Sequence, residues 1–87
     1  MRILILGVSG LIGHQLYQEF LQNHETYGTL HRNKRAYGNL KLFSGHNIIE
    51  SVDVNNFEFL TGVINTVNPD VILNCAGITK RKITGEN

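Results

Sequence analysis

The stretch RILILGVSGLIGHQL, residues 2–16, constrains the fold of this chain more than any other. Residues 2–6 form a short, nearly continuous apolar run, the pattern of a strand buried on both faces. Three glycines follow at Gly7, Gly10 and Gly13, spaced G-x-x-G-x-x-G. Ile12, Leu16 and Phe20 then recur at four-residue spacing with Gln15, Gln18 and Glu19 between them, which predicts a helix over residues 11–23 with one apolar stripe. A buried strand that turns through glycines directly into a helix is the start of a β-α-β unit.

The rest of the chain continues that alternation. Residues 26–31 read as a second, weaker strand after Asn23-His24. Residues 32–46 carry Arg32, Lys34, Arg35 and Lys41 with Gly38 and Gly45, and read as a long irregular connection holding one short helical turn. Residues 48–52 form a third strand. Asp53, Asn55 and Asn56 offer helix caps before Phe57, Leu60, Ile64 and Val67, which share one helical face. Asn68-Pro69 stops that helix, and residues 70–75 form a fourth strand. The order β-α-β-loop-β-α-β argues for a parallel sheet with right-handed crossovers. The expected class is α/β, the N-terminal half of a doubly wound parallel sheet of about four strands.

Composition removes several function classes. At 87 residues the chain makes one small domain with a thin stability margin. A net charge of +1 gives no reason to expect nucleic acid or a membrane surface as partner. The apolar run from Ile3 to Val8 is too short to span a bilayer, and no cleavage site follows it. The single cysteine, Cys75, rules out an internal disulfide and fits a reducing cytoplasm. His14, His24, His31 and His46 show no metal-ligand spacing, so no metal is expected.

The glycine turn sits where an anion site belongs. Unpaired N–H groups and the positive end of a helix dipole favour a pyrophosphate at a helix N-terminus. Gly7 permits a tight exit from the strand, Gly10 lets the backbone approach the phosphates, and Gly13 lets the helix pack closely on the sheet. Ser9 adds a hydroxyl, and Leu11 and Ile12 stand at the first helical positions. The alternative is a glycine-rich turn that binds nothing.

The end of the second strand discriminates between cofactors. An acidic residue about 20 positions beyond the glycines would bind the ribose 2′-hydroxyl of NAD. His31 and Arg32 stand there instead, with Lys34 and Arg35 just beyond. A guanidinium pairs with a 2′-phosphate in bidentate fashion, which favours NADP over NAD. The alternative is a solvated basic loop.

The stretch GVSGLIG resembles the glycine turn of the extended short-chain dehydrogenase/reductases. VDVNNFEFLTGVINTVNPDVILNCAGITK resembles the matching segment of their dTDP-4-dehydrorhamnose reductase-like, sugar-nucleotide branch. There an Asp follows the third strand, a helix ends in Pro-Asp, and the fourth strand leads into Asn-x-x-x-x-Thr or a near variant. The resemblance covers the chain except residues 33–46 and implies a Rossmann-like, NAD(P)-dependent oxidoreductase or epimerase. By the same resemblance Asp53 meets the adenine ring with Val54 beside it. Cys75, Ala76 and Gly77 lie along the ribose and pyrophosphate, and Thr79 lies near the nicotinamide. Lys80 resembles a lysine of some reductase-like members, whereas Arg81 and Lys82 depart from the acidic stretch of the rhamnose-forming enzymes. Read from the residues alone, Asp53 is equally a helix cap and Cys75 a small buried residue.

The resemblance also implies a Tyr-x-x-x-Lys pair on a helix well after the fourth strand. Only Tyr37 and Lys41 fit that spacing, and they fall in the loop after the second strand, so YGNLK reads as a chance match and no catalytic residue is assigned. Residues 1–87 are therefore expected to be a partial NAD(P)-binding domain, without turnover alone. A nucleotide-sugar substrate would bind only in a longer form. An uncovered edge on the fourth strand would favour self-association. The alternative is a non-catalytic module of the same fold that senses redox state or binds a partner.

Overall fold

The computed structural model describes residues 1–45 and 47–76. Four strands and two helices follow one another as β1 (Arg2–Leu6), α1 (Leu11–Leu21), β2 (Glu25–Thr29), β3 (Ile48–Ile49), α2 (Phe57–Val67) and β4 (Val71–Asn74). The strands form one parallel sheet in the order β3-β2-β1-β4, with Leu4 opposite Tyr27 and Ile72. This is the α/β, Rossmann-like arrangement expected of the alternating pattern.

Strand β1 lies at the centre, and its side chains divide the core. Ile3 and Ile5 point to one face, where they pack with Val8, Tyr17 of α1, Leu30, Phe43 and Ile48. Leu4 and Leu6 point to the other, against Val52 and the Val63 and Val67 side chains of α2. A strand buried on both faces needs apolar residues at every position, which is why RILIL does not alternate. Truncating Leu4, fully buried, to Ala is expected to cost about 2–5 kcal/mol.

Helix α1 meets the sheet through Leu16 and Phe20 of its apolar stripe, together with Gly13 and Tyr17 in place of Ile12. Gly13 and Tyr17 are buried, Leu16 and Phe20 are half-buried, and Ile12 stays 46% exposed. Gly13 lies close against the Gly7 carbonyl, and beside it the tyrosine rather than the isoleucine enters the core. The helix stops at Leu21, and just beyond it the Phe20 carbonyl accepts both the Asn23 and the His24 N–H. On α2, Val63 and Val67 face the sheet while Phe57 points away from it, 77% exposed.

Two connections depart from expectation. Residues 33–45 hold two 3₁₀ turns, Lys34–Tyr37 and Lys41–Phe43, which carry Phe43 into the core. Strand β3 shrinks to two residues because the ladder bulges: Leu30 donates to the Ile49 carbonyl and its own carbonyl accepts from Val52 N–H. Glu50 and Ser51 are thereby looped out, with Ser51 at φ +57°. Helix α2 begins as the Asn run suggests, with the Asn56 side chain accepting the Phe59 N–H at 3.2 Å. It ends at Asn68 in the left-handed region, and Asp70 then locks β4 to β1 by accepting the Arg2 N–H at 2.8 Å. Among the described residues no helix is long and apolar enough to cross a membrane.

Candidate functional site

The chain leaves β1 toward β2 on one side and returns on β4 at the other, so the strand order reverses at the carboxyl ends of β1 and β4. A crevice opens there in any sheet of this kind, because the two connections diverge. Here it is a cleft of about 630 Å³. Leu6, Gly7, Ser9 and Gly10 supply one wall, and Thr29 and His31 the end of β2. Val52 to Asn55, with Phe57 and Leu60, form the opposite wall, and Asn74, Cys75 and Ala76 the end of β4.

The three glycines do three different things. Gly7 turns at φ +84°, and a Cβ there would stand 2.8 Å from the Ala76 Cα. At Gly13 a Cβ would overlap the Gly7 carbonyl oxygen. Both are therefore required by the chain's own packing. Gly10 is not: its backbone is extended (φ −75°, ψ 166°) and a Cβ would meet only the Gly7 carbonyl oxygen, at 3.8 Å. A Cβ therefore fits at position 10, which borders the cleft.

Thr29 pins the turn from below. Its hydroxyl accepts the Gly7 N–H at 3.0 Å and its carbonyl accepts the Val8 N–H at 3.0 Å. Helix α1 starts with the His14 N–H donated to the Gly10 carbonyl at 2.8 Å. The N–H groups of Leu11, Ile12 and Gly13 have no acceptor among the described residues, and no acidic side chain stands in that first turn. Three donors and the positive end of the dipole are thus open to water or to an anion.

At the end of β2, His31 lines the cleft and Arg32 lies beside it, exposed. The Arg32 N–H donates to the Tyr37 hydroxyl at 3.2 Å, and the Arg32 carbonyl accepts from Ser51. The strand-β3 bulge also brings a carboxylate close by, which the spacing alone did not reveal. Glu50 accepts the Lys34 N–H at 2.7 Å, and no ion pair joins it to Arg32 among the described residues. Glu50 does not line the cleft; Asp53 is the one carboxylate that does among the described residues.

Asp53 serves a turn rather than the helix cap: its Oδ1 accepts the Asn55 N–H at 2.9 Å, leaving Oδ2 without a partner among the described residues. Asn74 likewise accepts the Ala76 N–H at 3.1 Å and shapes the end of β4. Cys75 is buried, and burial raises its thiol pKa above the ordinary value.

Of the residues singled out in the sequence, the cleft gathers Gly7, Ser9, Gly10, His31, Asp53, Val54, Cys75 and Ala76. Leu11, Ile12, Gly13 and Arg32 stand next to it in the chain without lining it. Gly77 and Thr79 lie outside the described residues. Thr29 and Phe57 line the cleft and were not anticipated. The signal for Thr29 was its place near the carboxyl end of a strand, and for Phe57 its place just after a cap.

Tyr37 and Lys41 stand in the two 3₁₀ turns of the loop after β2. The Tyr37 ring packs edge-on against Phe43, 6.2 Å between centroids, and its hydroxyl is engaged by Arg32.

The model of the NAD dependent epimerase/dehydratase family matches residues 3–86 of the chain. No curated protein matches the sequence.

Proposed function

The chain belongs to the NAD dependent epimerase/dehydratase family, and from that premise we propose that it is the NADP(H)-binding portion of a sugar-nucleotide reductase or epimerase. The observation that carries the reading is Gly10. It is the one glycine of the turn that the fold does not need, and it borders a cleft with three unclaimed N–H donors. A bare backbone at that point suits a pyrophosphate that must come close.

The remaining residues take roles that follow from their chemistry. The Leu11, Ile12 and Gly13 N–H groups hold the pyrophosphate, with the Ser9 hydroxyl beside them. Arg32, whose guanidinium has no carboxylate partner among the described residues, pairs with a ribose 2′-phosphate and makes NADP the preferred form over NAD. The free Asp53 Oδ2 accepts an N–H from the exocyclic amine of the adenine. Val54 covers the base, and Cys75 and Ala76 line the ribose, with Gly77 and Thr79 continuing toward the nicotinamide by resemblance. The cofactor supplies hydride transfer chemistry when bound.

Residues 1–87 serve as a cofactor-binding domain in the cytoplasm, and the nucleotide sugar is the substrate class this reading assigns. The edge of β4 not paired to β1 is the surface for self-association of the isolated chain. Its Ile72, 42% exposed, supports that reading.

The experiment is a thermal melt of the full chain with NADPH and with NADH. A hundredfold excess of NADPH over its dissociation constant stabilises by about 2.7 kcal/mol, or roughly 10 °C or more in a domain this small. No shift with either dinucleotide overturns the proposal.

A further inference from the structure

We propose that Phe57 is the aromatic wall of the base subsite, its ring stacking on one face of the purine of the bound dinucleotide. The inference rests on the dinucleotide reading of the cleft and adds a residue to it. Phe57 is the first residue of α2, lines the cleft, and exposes 77% of its surface. Tyr17 and Phe20 of α1 lie in or against the core, and Phe59 of α2, also exposed, does not line the cleft. The exposed phenyl of Phe57 belongs to neither core cluster, so packing among the described residues does not account for it.

The backbone beneath the ring is fixed. Asn55 N–H is held by the Asp53 carboxylate, Asn56 N–H donates to the Asp53 carbonyl at 2.9 Å, and Asn56 caps Phe59. Only two side-chain torsions remain to be ordered when a ligand arrives, so little entropy opposes stacking. The same turn presents the free Asp53 Oδ2 and the half-buried Val54 to the cleft. A planar ligand with an apolar face and an edge N–H donor satisfies all three at once, and a purine carrying an exocyclic amine is such a ligand.

The chain has no tryptophan, so the Phe57→Trp variant carries a single reporter. Its emission is expected to be quenched by NADPH and by 2′-phospho-ADP-ribose, which has the adenine without the nicotinamide, and not by nicotinamide mononucleotide. The Phe57→Ala variant is expected to melt close to wild type and to bind NADPH about tenfold more weakly, as loss of one base–aromatic stack implies. Equal NADPH affinity of Phe57→Ala and wild type overturns the inference while leaving the dinucleotide reading intact. Quenching by nicotinamide mononucleotide and not by 2′-phospho-ADP-ribose also overturns it, because the ring would then face the other end of the cofactor. Failure of wild type to bind either dinucleotide removes the reading on which the inference stands.

Discussion

The α-hydrogen of Gly13 faces the carbonyl oxygen of Gly7, with no room for a methyl group between the first strand's exit and the first turn of the helix. That contact sets how closely α1 lies on the sheet, and so where its N-terminal N–H groups sit relative to the cleft. Because the obstruction is backbone, it cannot move aside as a flexible side chain would. Gly13→Ala is expected to destabilise the chain by at least about 1–3 kcal/mol, the usual range for overpacking. Chemical denaturation measures this, and a variant as stable as wild type would show that the helix can shift without cost.

Thr29 holds the same turn through its hydroxyl, which accepts the Gly7 N–H at 3.0 Å. Thr29→Val keeps the shape and leaves that part-buried N–H unpaired. The expected loss is about 1–3 kcal/mol, seen as a fall in melting temperature. Thr29→Ser, which keeps the acceptor, should recover part of it.

The proposed preference for NADP rests on Arg32. Arg32→Glu replaces a cation that attracts the 2′-phosphate with a carboxylate suited to the ribose 2′-hydroxyl. NADPH affinity is expected to fall at least tenfold while NADH affinity holds or rises. Parallel titrations with the two dinucleotides decide it, and an unchanged ratio would assign Arg32 to the solvated loop.

Glu25 gives the chain an acid-side dependence far from the cleft. The Tyr27 hydroxyl donates to its carboxylate at 2.6 Å, and Arg2 lies 3.2 Å away. The tyrosine hydrogen bond chiefly, and Arg2 in addition, lower its pKa below the ordinary value. A folded pKa below the unfolded one stabilises above the unfolded value, and that contribution is lost as pH falls through the folded one. Tyr27→Phe should therefore raise the Glu25 pKa, read by its carboxyl carbon chemical shift. It should also flatten the acid limb of the melting curve against pH. An unmoved carboxyl titration would contradict this.

Strand and helix order were legible because each strand's apolar run and each helix's spacing are local properties of the chain. So was the Asn56 cap, which needs only a side chain three residues from its target. What escaped depends on contacts distant in sequence. Ile12 fits the helical stripe, yet it stays exposed while its neighbour Gly13 packs against the Gly7 carbonyl. Residues 48–52 have strand character throughout, yet two hydrogen bonds to Leu30 expel Glu50 and Ser51 and bring an acid beside a loop that reads as purely basic. Of the candidate site, the glycine turn and Asp53 were visible as residue types at a spacing. Thr29 and Phe57 were not, since a threonine in a strand and a phenylalanine on a helix look like ordinary formers of those elements.

The central claim, that the glycine turn leaves Gly10 bare for a pyrophosphate, is tested most directly by calorimetric titration of wild type and Gly10→Val with NADPH. Position 10 has extended backbone and open space beside it, so valine should cost at most about 1 kcal/mol of stability. The account predicts a folded variant, melting close to wild type, whose affinity for NADPH is at least tenfold weaker. A folded Gly10→Val chain that binds NADPH as tightly as wild type would contradict it.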